Sequence, residues 1–267
     1  MRIAVVSVQF VSGHGTIRVR ELTGHDERTV SGTSTVHALE LINALLVVER
    51  GEALHLNADD LVAADRDRIL AAIHQQAFGD RLESTLTCES CRNPFDLHFS
   101  LGELVASVGK RAKENQPEFV ALGENCFQAR AGWRFRLPSG RDEREIALMP
   151  TERAESVLLE RCFDSTGPRP DPLLLQSALE TVAPLIDLNL KARCPECDRV
   201  QFLRFDIQSY LLGSILSEQT RLLSEVHRIA SAYGWSLHEI LSLGRTERRQ
   251  IVALIENEFT RRARARR

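Results

Sequence analysis

The sequence lacks any long hydrophobic run and any excess of positive charge. Its longest apolar stretch, Leu39 to Val48, is interrupted by Glu40 and Asn43, so it predicts a buried helix rather than a membrane span. The 34 Lys and Arg residues stand against 37 Asp and Glu, and the net charge of −3 excludes the general positive field that drives non-specific nucleic-acid binding. The first residues, MRIAVVSVQF, show no signal-peptide pattern, and we expect a cytoplasmic protein.

Common catalytic motifs are also absent. The sequence has no Gly-x-Gly-x-x-Gly or Gly-x-x-x-x-Gly-Lys-Ser/Thr loop for nucleotide phosphates, no His-Glu-x-x-His pair and no Gly-x-Ser-x-Gly turn. Cys126 and Cys162 stand outside any catalytic cysteine signature, and Cys162 ends an apolar helical stripe where a small buried side chain is typical. The acids within His25–Glu27 and around Asp65 predict helix N-termini, because carboxylates suit the positive end of the helix dipole. We therefore expect a protein that is not an enzyme.

Four of the six cysteines form two Cys-x-x-Cys pairs that lie 106 residues apart. The pairs are Cys88 with Cys91, in LTCESCRNPFDLHFSLGELV, and Cys194 with Cys197, in ARCPECDRVQFLRFDIQSYL. Each segment predicts a strand, a turn at the cysteines, a second strand with alternating apolar residues, and then a helix. Ser100 and Asp206 precede these helices and are the predicted N-caps.

Shorter matching pieces lie upstream of each cysteine pair and indicate a duplication. TIRVRELTGHDE leads into a predicted helix at Val36 to Val48, and WRFRLPSGRDEREIALMPTER leads into one at Glu152 to Cys162. The predicted fold class is α+β, with a strand-helix-helix-zinc-hairpin-helix unit at residues 1–112 and again at 117–206. The polar segment KRAKENQP separates the two units. Residues 207–267 are predicted to form an all-helical C-terminal extension with a basic tail.

The two cysteine pairs predict one structural Zn2+ per chain. A Cys-x-x-Cys turn between two strands presents two thiolates, which is half of a tetrahedral zinc site. Because the pairs occupy equivalent positions in the two repeats, the simplest assembly is one four-cysteine zinc ribbon that joins both halves. The alternatives are unrelated thiols or redox-active dithiols. His98 follows the first pair, but its counterpart in the repeat is Arg204, so we expect an outward-facing histidine rather than a ligand.

The C-terminal extension carries a long apolar stripe. From Ile207 to Tyr233 apolar residues recur at helical spacing, which predicts one continuous helix that ends at Gly234. We expect the stripe, where it is exposed, to bind a partner helix. The predicted partner-binding residues are Leu222, Val226, Ile229, Tyr233 and Trp235.

Several of these segments resemble proteins of contractile phage tails and related injection systems. LVAADRDRILAAIHQQAFGDRLESTLTCESCRNPFDLHFSLGEL resembles a segment of baseplate assembly proteins, in which an aspartate-arginine helix, a Phe-Gly and a Cys-x-x-Cys hairpin follow in that order. KARCPECDRVQFLRFDIQSYLL resembles the same unit, and EVHRIASAYGWSLHEILSLGRTERRQIVALIE is similar to the helical ending of small proteins encoded in these tail clusters. TIRVRELTGHDE resembles the opening of the T-even-type baseplate hub assembly family.

The resembling segments cover roughly half of the chain. One departure concerns the glycine that usually follows the second cysteine of each pair, because Arg92 and Asp198 stand at these positions. The resemblance implies a non-enzymatic protein that helps to build, or forms part of, the hub and baseplate of a contractile tail. Its implied partners are hub, spike or wedge proteins, and it implies possible incorporation into a virion or injection particle.

A zinc-ribbon regulator that binds nucleic acid is the alternative hypothesis. Residues 241–267 contain eight arginines and three glutamates, a net charge of +5 that could form an electrostatic arm. The remainder of the chain then carries −8, and its ribbon segments are rich in acids. A ribbon that reads DNA would be more basic, so binding to an assembly partner is the favoured interpretation.

Overall fold

The computed structural model describes residues 2–11, 15–47, 56–115, 118–123, 125–164 and 167–265. These residues form an α+β protein of short sheets and helices. The first half contains β1 (Ile3–Ser7), β2 (Thr16–Arg20), α1 (Gly24–Thr29), α2 (Thr35–Leu45), a 3-10 helix (Ala58–Asp60), α3 (Ala63–Phe78), β3 (Arg81–Thr87), β4 (Pro94–Ser100) and α4 (Leu101–Asn115). We use "first half" for residues 2–115.

The second half, residues 118–206, contains more strands than the first. Its elements are β5 (Phe119–Gly123), β6 (Cys126–Ala129), β7 (Arg134–Arg136), α5 (Gly140–Ile146), α6 (Thr151–Cys162), β8 (Phe163–Asp164), α7 (Pro172–Val182), β9 (Asp187–Arg193) and β10 (Val200–Asp206). The C-terminal extension is helical. It consists of α8 (Ile207–Ser217), α9 (Gln219–Tyr233), α10 (Leu237–Ser242) and α11 (Arg245–Ala265).

The two cysteine segments form the predicted hairpins. β3 pairs antiparallel with β4, and β9 pairs antiparallel with β10, through seven residue pairs in each case. The predicted caps are confirmed as well. Ser100 Oγ accepts a hydrogen bond from the backbone N–H of Glu103 at 3.1 Å, and the Asp206 carboxylate accepts from the N–H groups of Gln208 and Ser209, each at 3.1 Å. Each hairpin therefore runs directly into a capped helix.

A second pair of matching elements lies upstream, where β2 leads into α1 and β7 leads into α5. Thr23 and Ser139 are the N-caps of these helices, and each forms a capping box with an aspartate three residues later. The same aspartates, Asp26 and Asp142, accept two hydrogen bonds from the arginine that ends the preceding strand. Desolvation would raise the pKa of both carboxyls, but these hydrogen bonds outweigh it and hold each pKa below its usual range.

The largest hydrophobic core draws on all three predicted segments. It joins Leu39 and Ile69 of the first half to Phe205 of the second and to Leu211 of the extension. A second core lies under the sheet of the second half, where Phe135 stacks on Phe127 at 5.6 Å between ring centroids. The predicted boundaries near residues 112, 117 and 206 therefore divide the sequence but do not divide the hydrophobic core. Helix α4 continues through most of the polar segment KRAKENQP that separates the two halves.

The predicted continuous helix from Ile207 to Tyr233 is wrong. The helix breaks at Glu218, whose φ of −94° and ψ of 1° separate α8 from α9. The Glu218 carboxylate accepts hydrogen bonds from Arg245 and Arg249 of α11, so contacts with a distant helix hold the break. As predicted, α9 ends at Gly234, which has a φ of +70° and is suited to this left-handed cap.

The stripe of α9 is core, which corrects the predicted partner-binding surface. Leu222 and Ile229 are buried, and Val226 is partly buried against the cluster formed by Ile229, Ile240 and Ile255. The cover comes from α10 and α11, which fold back so that Ile240 and Ile255 lie on the stripe. Among the described residues, no helix is long and apolar enough to cross a membrane.

Candidate metal centre

The two hairpin turns hold their cysteines in the same backbone geometry. In the first turn the Cys88 N–H donates to the carbonyl of Asn93 at 3.0 Å, and the Arg92 N–H donates to the carbonyl of Cys88 at 3.0 Å. In the second turn Cys194 makes the equivalent bonds with Arg199 and Asp198, at 2.9 and 3.0 Å. Each turn therefore presents its two thiols from an identically closed loop.

The residue after the second cysteine of each hairpin adopts the backbone conformation that glycine favours. Arg92 has a φ of 63° and Asp198 a φ of 58°, both in the left-handed region. A side chain in this region costs about 1 kcal/mol or more relative to glycine. The turns form in spite of this cost.

The four sulfurs converge at the tips of the hairpins. The Sγ atoms of Cys88 and Cys197 are 3.6 Å apart, and those of Cys91 and Cys194 are 3.7 Å apart. All four lie within 4.8 Å of one another. A zinc ion with Zn–S bonds of about 2.3 Å would place tetrahedral thiolates about 3.8 Å apart, whereas a disulfide bond measures about 2.05 Å. The spacing thus fits a shared metal ion, and the four thiols are not joined as disulfides in this structure.

The close packing of the sulfurs shifts the pKa values of the two thiols of the first hairpin in opposite directions. Backbone N–H groups of Cys91 and Ser90 point at the Cys88 sulfur and outweigh its desolvation, which lowers the pKa of this thiol to about 6. At Cys91 a backbone hydrogen bond from Asn93 is outweighed by desolvation and by the neighbouring thiols, which raise its pKa to about 12, so without a cation one thiol ionises at the expense of the next. Cys88 and Cys194 are fully buried, so thiolates here need a cation to neutralise them. Four sulfur donors with no other ligand type are the set that structural zinc prefers.

Contacts around the sulfurs join the two hairpins directly. The Glu89 N–H donates to Gln201 Oε1 at 3.1 Å, and Gln201 Nε2 donates to the carbonyl of Thr87 at 3.4 Å. Behind the sulfurs, Phe95 of β4 and Ala192 of β9 form a small apolar cluster. The four-cysteine centre therefore lies between two hairpins that already contact each other.

The remaining cysteines and the nearby histidine lie elsewhere, as predicted. Cys126 is on β6 and Cys162 ends α6, where burial raises the pKa of the Cys162 thiol to about 12 and keeps it protonated. His98 is exposed on β4. Within the described residues, the four hairpin cysteines are the one group of three or more metal-ligating side chains that could hold an ion.

The predicted partner-binding residues separate into two groups. Leu222, Val226 and Ile229 belong to the interior, as described above. Tyr233 and Trp235 remain 47% and 40% exposed, and their rings lie 5.7 Å apart on either side of Gly234. Leu237, at the start of α10, is 50% exposed. We call Tyr233, Trp235 and Leu237 the aromatic corner.

Among the buried ion pairs that sequence reasoning did not predict, two match between the halves. Arg66 of α3 binds Glu143 of α5, and Arg248 of α11 binds Glu27 of α1 at 2.6 Å. The two glutamates occupy the same position, directly after the capping-box aspartate. A signal was present, since both arginines occur one residue after an acid and three before an isoleucine, in DRDRI and TERRQI.

Comparison of the chain with protein-family models, with curated proteins and with solved structures finds no match.

Proposed function

We propose that this protein is a non-enzymatic assembly factor or structural component of the baseplate hub of a contractile phage tail or phage-like injection system. It acts through protein–protein contacts, and its two halves are a duplicated unit that shares one structural Zn2+. The observation that carries the proposal is the four-cysteine centre, to which each half contributes two ligands.

The donor set supports a structural rather than a catalytic metal. A catalytic zinc keeps one coordination position open for water or substrate, whereas four thiolates complete the tetrahedron. Zinc bound at Cys88, Cys91, Cys194 and Cys197 would tie together hairpins that are 106 residues apart in the chain. Such a cross-link stabilises the folded state because the unfolded chain has no preformed site.

The baseplate assignment rests on the resemblance of the cysteine units and of the C-terminal ending. The zinc hypothesis places both hairpins around one ion, and α9 to α11 correspond to the resembling ending. The aromatic corner is our proposed contact for a hub, spike or wedge protein, because clustered exposed aromatic rings are typical anchors of protein interfaces.

The nucleic-acid alternative is weakened by the contacts of the arginine-rich end. Arg245 and Arg248 are buried and bind Glu27, and Arg249 binds Glu218. These three cations are neutralised within the fold and are not available for phosphates. The part of the basic tail at Arg266 and Arg267 lies outside the described residues.

The test is capture by defined partners. The tagged full chain is co-expressed with each hub, spike and wedge protein encoded beside it. The purified complexes are treated with nuclease, and their molar mass is measured by light scattering. We expect one of these proteins to co-purify, and we expect the double variant Tyr233→Ser/Trp235→Ser to lose at least about tenfold in affinity with its zinc content unchanged. Leu148→Ser is the control, since Leu148 is fully exposed elsewhere.

Three outcomes would contradict parts of the proposal. Retention of nucleic acid after nuclease treatment, with no tail protein captured, would make the regulator the better hypothesis. Equal binding by the double variant and the control would remove the aromatic corner from the interface. Metal analysis that finds no zinc in the purified chain would remove the shared centre.

A further inference from the structure

Among the described residues, none bonds to the backbone groups on the outer edge of β1. Antiparallel strands bond through alternate residues, and the ends of the β1–β2 pair show which ones are used. The Val8 N–H donates to the carbonyl of Gly15 at 3.1 Å, and the Glu21 N–H donates to the carbonyl of Arg2 at 2.9 Å. The backbone N–H and C=O groups of the even-numbered residues of β1 therefore point toward β2. The backbone groups of Ile3, Val5 and Ser7 point away from it.

The second half shows what such an edge can hold. Arg20 and Arg136 occupy equivalent positions, since each ends a strand and binds the capping-box aspartate. Ile3 pairs with Arg20 in β1, and Cys126 pairs with Arg136 in β6. β1 and β6 are thus counterparts, with Val5 equivalent to Gln128. On β6 this outer edge is occupied, because β5 pairs antiparallel with it along Phe119–Gly123.

The other edge of the sheet agrees in both halves. In the second half β8 pairs with β7 through Phe163 and Phe135. In the first half Leu46 forms a β-bridge with Val19, which is the counterpart of Phe135. The sheets therefore correspond at three positions. In the described part of the chain, the first half has no strand at the fourth, where β5 lies in the second half.

The exposed edge is apolar and open. β1 reads Ile-Ala-Val-Val-Ser, with no charge or proline to block pairing, and the Ile3 and Val5 side chains are 48% and 63% exposed. A cleft of about 530 Å³ runs beside it, between Val5 and the walls formed by Ala72 of α3 and Val105 of α4. Side chains of an added strand would have room there.

We propose that β1 accepts an extended, uncharged peptide strand from a partner protein, which pairs antiparallel with it as β5 pairs with β6. The occupant is defined by β5 itself, whose residues Phe-Val-Ala-Leu-Gly include no charge. A second copy of this chain is disfavoured as the occupant. Pairing β1 with β1 would join only five residues of each chain, and a contact of this length is too small to bury the area of about 800 Å² on each partner that stable dimers bury. This inference does not depend on the baseplate assignment.

The test transplants the second-half strand onto the first half. Residues 118–125 (EFVALGEN) replace Met1 and Arg2, so that the copied strand precedes Ile3 as β5 precedes Cys126. Asn125 has a φ of 64°, which asparagine tolerates, and the turn is therefore copied with the strand. We expect amide hydrogen exchange at Ile3 and Val5, the counterparts of Cys126 and Gln128, to slow by at least about tenfold relative to the natural chain.

Two variants separate strand pairing from other effects. A graft with proline at the position copied from Val120 lacks a donor to β1 and should lose the protection, with the host sequence unchanged. Val5→Pro in the graft should do the same. The pairing of β1 with β2 should survive this substitution, because the Val5 N–H points away from β2.

The proposal is overturned if the graft leaves exchange at the Ile3 and Val5 amides unchanged. It is also overturned if the natural chain is a dimer in sedimentation analysis and Val5→Pro makes it monomeric, because the occupant would then be a second copy. The end-blocked synthetic peptide QFVALGQN, in which glutamine replaces the two glutamates of residues 118–125, should protect the same amides when it is added to the natural chain. Protection in the graft without any in this mixture at millimolar peptide would overturn capture from a separate protein.

Discussion

The two halves build the same helix cap but cover it with helices from different places in the chain. In the second half, the cap of α5 is covered by the 3-10 helix and α2 of the first half, Arg66 of α3 reaches Glu143, and Val62 forms a β-bridge with Ser139. In the first half, the cap of α1 is covered by α10 and α11 of the extension, and Gly244 bridges Thr23. The extension thus covers the helix cap of the first half in the same way as the first half covers the helix cap of the second half.

The close approach at both caps depends on glycine. A Cβ atom at Gly24 would lie 2.7 Å from Leu241 Cδ2, and one at Gly140 would lie 2.8 Å from Leu39 Cδ2. Both are shorter than atoms can tolerate without movement. The glycine after each cap residue lets a second element pack directly on the helix start, and the buried arginine then reaches the glutamate.

The burial of the two arginines differs, however. Arg248 is fully buried and contacts the carboxylates of Glu27 and Glu225. Arg66 is 5% exposed, and its partner Glu143 retains 19% of its side-chain exposure. The ion pair made by the extension is therefore less exposed to solvent than the Arg66–Glu143 pair. Removing the two arginines should accordingly lower the free energy of unfolding by different amounts.

The largest effect is expected from the cysteines, and it should be equal in both halves. Cys88→Ser and Cys194→Ser should each reduce bound zinc from one per chain to nearly none. At free zinc about a thousandfold above its Kd, this loss removes about 4 kcal/mol from the free energy of unfolding. Metal analysis and urea denaturation measure both quantities. Cys126→Ser is the control that should keep the metal, and zinc retained by one hairpin variant alone would mean that the site is not shared.

The buried arginines should rank next and distinguish the halves. Arg248→Met leaves two buried carboxylates short of a partner and should cost about 3 to 5 kcal/mol. Arg66→Met should cost about 2 kcal/mol, because Glu143 is partly solvated and because the buried Asp67, 3.8 Å from Arg66, can take up a proton, since burial raises its pKa to about 7. Urea denaturation at pH 7 checks the difference, with the exposed Arg261→Met as a control within about 0.5 kcal/mol of the natural chain. Equal costs would show that solvation does not separate the two contacts.

The cap aspartates should have smaller and pH-dependent effects. Asp26→Asn and Asp142→Asn should each cost about 1 to 2 kcal/mol at pH 7, with Asp142 the larger because Arg161 also approaches it, at 3.5 Å. Both carboxyls have a folded-state pKa below the unfolded value. Their stabilisation is therefore present above about pH 4 and is lost as the pH falls through the folded pKa.

Denaturation between pH 2 and 7 provides the measurement for the aspartates. Both variants should show a flatter loss of stability below pH 4 than the natural chain. An acid limb that keeps its full slope in Asp142→Asn would refute the assignment of this carboxyl to the acid transition.

The smallest effect is expected at the hairpin turns, and here the sign is reversed. Arg92→Gly and Asp198→Gly should each stabilise the chain, by about 1 and about 0.5 kcal/mol, because glycine adopts a positive φ without strain. The gain at Asp198 is smaller because aspartate tolerates this region better than arginine. Thermal unfolding of the metal-loaded protein compares the two, and Asn93→Gly, outside the positive-φ region, should destabilise instead.

The hairpins and their caps could be predicted because each depends on residues that are near in the chain. The bonds that close the Cys88 turn span five residues, and the Ser100 cap spans three. The four-cysteine centre was predictable for a different reason, since two equivalent half-sites need each other to complete a tetrahedron. Arg66 and Glu143 are 77 residues apart and Arg248 and Glu27 are 221 apart, and helical periodicity does not indicate such pairs.

By itself, the sequence determined the mixed α+β class, the two cysteine hairpins, their capped helices and the sulfur donors, because these follow from local pattern and ligand chemistry. The tertiary structure decided which surfaces are interior. Leu222 and Ile229 belong to a stripe that reads equally well as a docking face or as core, and the return of α10 and α11 makes it core. An amphipathic pattern specifies that a face must be covered, whereas the covering element is chosen by the packing of the whole chain.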